Sequence, residues 1–286
     1  MEFSLRNSGG TKRAILIVLI LTISRGLFAL EPPTKRQLEE YRLNGTLAER
    51  IAFAKALGNY QVEPGLIRDF KIRLERLRLK ALGKSDAEID QRVQAFPSGI
   101  RPGLRNKGNN RVFVLLIDFS DYPSSQSAVS INGKIFGDGD GGYPRESLRN
   151  YYRRSSYNQL EILGSTLGWY RPGATRASIA RTSTGRENLI KEALTYFDGQ
   201  GHDFSQYDND NNGVIDYFLV VWTGPPGAWA SFWWGYYTEW NSSFILDGRQ
   251  FSGATYSWQW ESNPYPGTFS PYVTIHETGH ALGLPD

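Results

Sequence analysis

Residues Val112-Phe113-Val114-Leu115-Leu116-Ile117 form an unbroken apolar run, flanked by Arg111 and by Asp118-Phe119. A strand with one face in water alternates apolar and polar side chains. A continuous run bounded by turn signals is instead covered on both faces, so residues 111–119 are expected to be a buried central strand. Tyr217 to Trp222 reads as a second apolar strand and Leu160 to Gly164 as another. Helical signals lie between them. Ser147 to Tyr152 opens one helix, and Glu187 to Phe197 is amphipathic. Phe136 to Tyr143 reads as a Gly/Asp loop and residues 226–240 as a Trp/Tyr-rich loop. A last helix is expected from Ser270-Pro271, taken as N-cap and N1, to about Leu282. The pattern is α+β.

The segment before the first strand differs in character. Apolar residues recur at helical spacing through Leu38, Tyr41, Leu47 and Ile51, and again through Leu66, Phe70, Leu74 and Leu77. Ser85-Asp86-Ala87-Glu88 reads as a cap opening a short helix that ends near Phe96. Pro97 to Gly103 and the Asn/Gly-rich Asn106 to Asn110 make the best linker and the expected place of proteolytic processing. Residues 31–111 hold 17 Lys/Arg against 10 Asp/Glu, and residues 112–286 hold 11 against 18. That asymmetry suits a basic pro-segment docking on an acidic domain; two unrelated solvated surfaces would read the same way. The basic half lacks interleaved aromatics, which argues against nucleic-acid binding.

The N-terminus carries Arg6, Lys12 and Arg13, then the apolar run Ala14 to Ile23, with Ala29 placed before a cleavage point. This reads as a secretory signal over residues 1–29. The run is shorter than the about 20 residues a spanning helix needs, so no stable membrane insertion is expected. Arg25 keeps a short membrane anchor as the alternative. The chain has no cysteine, which excludes a disulfide framework, a Cys-ligated zinc site and a thiol nucleophile.

The chemistry is concentrated at His276-Glu277-Thr278-Gly279-His280. Residues four apart share a helix face, so His276 and His280 can ligate one metal. Glu277 beside them can act as general base toward water activated by zinc. A catalytic zinc needs a third protein ligand. Gly283 can take a left-handed conformation where the helix ends, and Asp286 could then return to the metal. The remaining histidine, His202, lies far back in a loop. A buried helix with hydrogen-bonded histidines is the bland alternative.

Asp208-Asn209-Asp210-Asn211-Asn212-Gly213-Val214-Ile215-Asp216 matches the front of a calcium loop, with oxygens from Asp208, Asp210, Asn212, the Val214 carbonyl and Asp216. Its twelfth position is Leu219, so it is not an EF-hand unit, and an Asx/Gly turn would use the same residues. Trp229, Trp233, Trp234, Tyr236, Tyr237 and Trp240 could line a cleft or a sugar platform, or simply pack in a core. Glu239 and Glu261 read as surface acids.

Four stretches together resemble the immune inhibitor A family of secreted metalloproteases: Val114 to Asp121, Ser147 to Tyr157, Asp203 to Asp208 with the Asp/Asn loop after it, and His276 to Asp286. The resemblance covers about residues 110–286. It implies a preproprotein, a metzincin-like catalytic domain with a twisted mixed sheet and an active-site helix, one zinc, bound calcium and endopeptidase activity on protein or peptide substrates. His276, His280 and Asp286 then look like zinc ligands and Glu277 like the catalytic acid/base. The organisation expected is a signal peptide over 1–29, a helical propeptide over 30–105 acting as intramolecular inhibitor, and the N-terminal part of the catalytic domain over 106–286. Metzincin-type domains continue past the third ligand to a Met-turn, and the one methionine here is Met1. The expectation is therefore a fragment of a longer secreted enzyme, inactive or barely active alone. A truncated protease-like decoy and a calcium-dependent carbohydrate-binding module remain as alternatives.

Overall fold

The computed structural model describes residues 35–57, 64–94, 103–139, 146–224, 236–262 and 269–285. The signal-peptide reading, Asp286, Trp229, Trp233 and Trp234 lie outside the described residues, and so does the second half of the Gly/Asp loop, residues 140–143.

Among the described residues four helices come first: α1 (Lys35–Leu43), α2 (Leu47–Leu57), α3 (Pro64–Ala81) and α4 (Asp86–Val93). The expected cap at Ser85 is present as a full capping box. Ser85 Oγ accepts from the Glu88 amide, and Glu88 Oε2 accepts from the Ser85 amide at 3.0 Å.

Strand β1 (Gly108–Ile117) then enters a five-stranded sheet with β2 (Leu160–Tyr170), β3 (Tyr217–Trp222), β4 (Tyr236–Glu239) and β7 (Thr255–Trp260), in the order β2-β1-β3-β7-β4. The first four pair in parallel and β4 runs antiparallel against β7. A small hairpin, β5 (Ile245–Leu246) and β6 (Arg249–Gln250), stands apart. The unbroken apolar run of β1 has a direct cause. Phe113, Leu115 and Ile117 point into one core, with Leu189, Ile190 and Leu194 of helix α7 (Ser183–Gly199). Val112, Val114 and Leu116 point into the other, with Ile131 and Ile135 of α5 (Ala128–Phe136), Leu148 and Tyr152 of α6 (Leu148–Ser155), and Ala281 of α8 (Tyr272–Ala281). Both faces are covered, so period-2 alternation has no polar side to show.

Several boundaries differ from the sequence reading. Strand β1 begins at Gly108, because Gly108 to Arg111 pair in register with Leu160 to Leu163. Helix α5 and strand β7 carried no separate expectation. Residues 236–239, read as part of a loop, form the edge strand β4 because their backbone pairs with Thr255 to Trp258. At the last helix Pro271, not Ser270, is the N-cap.

Candidate metal centre

Helix α8 is fixed to the sheet by polar side chains of its neighbours. Gln259 of β7 is 2% exposed, and its Oε1 accepts from the Thr274 amide at 2.8 Å. That amide is in the first turn, where no intrahelical acceptor exists. Gln259 Nε2 donates to the Ser270 carbonyl at 3.0 Å, which fixes the entry to the helix. Midway along, Tyr152 of α6 donates its hydroxyl to the Ile275 carbonyl at 2.6 Å. Tyr217 of β3 lies 3.1 Å from Thr278 Oγ1 and 2.6 Å from Ser257 Oγ. Burial pushes the pKa of both tyrosine hydroxyls well up, so both remain protonated hydrogen-bonding groups.

On this helix His276, Glu277 and His280 bring one ligand atom each to within 4.8 Å of one another, the one such group of three His, Asp or Glu side chains among the described residues. The two imidazoles stand nearly perpendicular, with centroids 5.1 Å apart. Glu277 is fully buried, and its Oε2 is 3.8 Å from His280 Nε2. The other ring nitrogen, Nδ1, is 2.8 Å from the backbone carbonyl of Leu284. A carbonyl can only accept, so Nδ1 is the protonated nitrogen, and in the neutral ring Nε2 is then the ligating atom. A metal-binding histidine needs this arrangement, and a carbonyl in that role is the usual orienting partner.

The carbonyl is placed by the helix end. Gly283 has φ +87°, the left-handed conformation anticipated for it. The Gly283 amide donates to His280 O at 2.8 Å and the Leu284 amide to Gly279 O at 2.9 Å, the paired bonds of a Schellman ending. Two imidazoles four residues apart on one helix, with a carboxylate beside them, fit a zinc ion. Tyr237 of β4 adds a ring 5.9 Å from that of His280, which puts the sheet's antiparallel edge beside the centre.

Comparison with known proteins bears on what this centre belongs to. The chain is 26% identical over 261 residues to pre-pro-metalloprotease PrtV of Vibrio cholerae serotype O1, covering 73% of this chain and 27% of that protein. It is 24% identical over 261 residues to immune inhibitor A of Bacillus thuringiensis subsp. alesti, covering 72% of this chain and 37% of that protein. The chain is related to the immune inhibitor A family. No family model matches it. The chain spans 27% and 37% of the length of these two relatives.

The second expected site, the calcium loop, is compact and largely engaged with itself. Asp208 accepts from the Asn212 amide at 2.9 Å and the Gly213 amide at 3.0 Å, Asp216 Oδ2 from the Asn209 amide at 2.6 Å, and Asn212 Oδ1 from the Val214 amide at 2.8 Å. Asp210 accepts from the Asn212 amide at 3.1 Å. A cation already sits there: Arg249 Nε is 2.7 Å from Asp208 Oδ2. Burial pushes the Asp216 carboxyl up to about 6, and the neighbouring Asp210 and Asp208 add to the rise.

Three further residues are resolved by burial. His202 is occupied away from α8, 2.9 Å from the Tyr207 hydroxyl. Trp240 is buried at 1% exposure in the core on the α7 side, so it packs rather than forming a surface platform. Glu261, read as a surface acid, is 3% exposed because its carboxylate receives the amides of Ser125 at 2.7 Å and Gln126 at 2.5 Å. Its acidic neighbours in sequence are few, and nothing in the local pattern signals that a distant loop supplies its donors. Gln259 was missed for a similar reason, since a glutamine between aromatics in a strand carries no motif.

Proposed function

We propose that the chain is the histidine-bearing part of a secreted zinc endopeptidase precursor. The observation that carries the reading is the convergence of His276, Glu277 and His280 within 4.8 Å on one helix face. His276 and His280 hold the metal, and Asp286, following the Gly283 reversal, is the third protein ligand. Zinc, when bound, supplies a Lewis acid that brings the pKa of water down to about 7. Glu277 takes a proton at its carboxylate and returns it to the nitrogen of the leaving amine. Its complete burial favours that exchange over loss of the proton to solvent.

The substrate class in this reading is an extended peptide. Strand β4 is one of the two outer strands of the described sheet, and Tyr237 lies beside His280. A peptide adding to an open strand edge pairs its backbone without regard to sequence, as an endopeptidase requires. In the same reading residues 1–29 direct secretion and the basic helices α1 to α4 restrain the acidic domain until they are removed. No helix among the described residues is long and apolar enough to cross a membrane.

Elemental analysis and peptide hydrolysis on the same preparations test the roles separately. His276→Ala and His280→Ala should lose zinc. Glu277→Ala should keep zinc and lose whatever residual turnover the parent chain shows. Zinc retained by the double histidine variant would sink the assignment. Calcium-dependent glycan binding that survives Glu277→Ala would favour the carbohydrate module.

A further inference from the structure

The segment just before β1 reaches across to the end of the histidine helix. Leu104 is fully buried and shares the core that holds Ala281 and Leu282. Its amide donates to the Ala281 carbonyl at 2.8 Å. Ala281 is the last residue of α8, so this carbonyl is one of those a helix leaves without an internal partner. Gly103 approaches the same carbonyl so closely that a Cβ on it would stand 2.4 Å from the oxygen, and its φ of +93° is in the left-handed region. The hook is closed behind by Asn110, fully buried, whose Oδ1 accepts from the Arg105 amide at 3.2 Å and whose Nδ2 donates to the Arg105 carbonyl at 2.9 Å. It grips α8 one residue beyond His280 and two before the Gly283 turn.

We propose that Gly103 and Leu104 are positioning residues of the metal centre, so that the histidine-bearing domain starts at Gly103 rather than at 106. The proposal rests on the zinc reading above for its functional consequence. By holding the Ala281 carbonyl, the hook fixes the last turn of α8, and with it the Leu284 carbonyl that orients His280. Processing that removes the helical segment must then cut upstream of Gly103. A cut after Arg105 or Lys107 would separate the hook from β1.

The test uses the full chain and four variants. Gly103→Ala and Leu104→Ala should speed amide exchange at Leu282, Gly283 and Leu284. They should also alter the visible spectrum of bound Co(II) and weaken Co(II) binding by about tenfold, the lower end of what loss of an orienting partner does. Leu104→Met conserves volume and should restore both signals. Leu194→Ala, in the opposite core, controls for general destabilisation: it should lower the melting temperature and leave both signals alone. Unchanged exchange and cobalt binding in Gly103→Ala and Leu104→Ala would overturn the proposal, as would equal changes in Leu194→Ala. If the parent chain takes up no cobalt, the zinc reading fails, and the exchange comparison alone decides the hook.

Discussion

The backbone carbonyl of Leu284 accepts a 2.8 Å hydrogen bond from Nδ1 of His280, four residues earlier. That contact exists because Gly283 turns the chain back at φ +87°. Gly283→Ala must either adopt a conformation costing about 1–2 kcal/mol or undo the turn. The expected outcome is a lower melting temperature together with metal affinity reduced by about tenfold or more, measured by competition with a chromophoric chelator. Leu284→Ala keeps the carbonyl and should retain most of the affinity. A Gly283→Ala protein that binds metal as tightly as the parent would mean that the turn does not orient His280.

Gln259 offers a second test of how the helix is held. Gln259→Leu keeps the volume but leaves the Thr274 amide and the Ser270 carbonyl without their partner. Stranding buried groups in this way costs about 1–3 kcal/mol each, and denaturant titration should show a loss in that range. A midpoint unchanged from the parent would show that the first turn of α8 finds other acceptors.

The core strands were legible because their signal is local. The run at 112–117 and the block Tyr217 to Trp222 are continuous apolar segments, and each is a strand buried on both faces. The helix with His276 and His280 was equally legible, since i,i+4 spacing is a property of the helix itself. The edge strand at Tyr236 to Glu239 was not, because a four-residue strand is defined by its partner β7 rather than by its own pattern. Helix α5 was hidden for another reason: Asn132 and Gly133 in its middle have poor helix propensity, and packing of Ile131 and Ile135 overrides them. Arg249 beside Asp208 could not be read either, since the two are brought together by the β5–β6 hairpin.

The ion triad that ties α6 to β2 makes a prediction in pH. Arg153 binds Glu161 through two bonds of 2.7 and 2.8 Å, and Arg149 adds a third. These hold the Glu161 carboxyl down at about 2, with the Arg153 hydrogen bond the largest cause. A depressed folded pKa gives stability that is present above the ordinary carboxylate pKa of about 4.3 and is lost as pH falls through about 2. Solvent contact at the triad reduces the worth of the pairing to roughly 1–2 kcal/mol. Glu161→Gln should therefore destabilise the protein by about that amount at pH 7 and by progressively less as pH falls from 5 toward 2. Denaturant midpoints across that range decide it. Because Arg149 and Arg153 lie on α6 with Tyr152, the same variant should loosen the Tyr152 contact to Ile275. A pH-independent difference between the two proteins would rule out the ionised triad as its source.

Calcium and Arg249 make competing claims on Asp208. The Asp208 side chain is almost fully buried, and the guanidinium 2.7 Å away supplies its counter-charge. A calcium ion ligated by Asp208, Asp210, Asn212, Val214 and Asp216 would have to displace that guanidinium or share the carboxylate with it. Arg249→Ala separates the two cases. Without calcium the variant leaves a buried carboxylate uncompensated and should melt at a lower temperature than the parent. With calcium it should recover, and its calcium affinity should exceed the parent's by about tenfold, equivalent to about 1.4 kcal/mol no longer spent on moving the arginine. Isothermal titration and thermal melts with and without chelator read both effects. If the variant melts at the same low temperature with and without millimolar calcium, the loop is an Asx turn stapled by Arg249, and the ligand-like spacing of its oxygens serves only the turn.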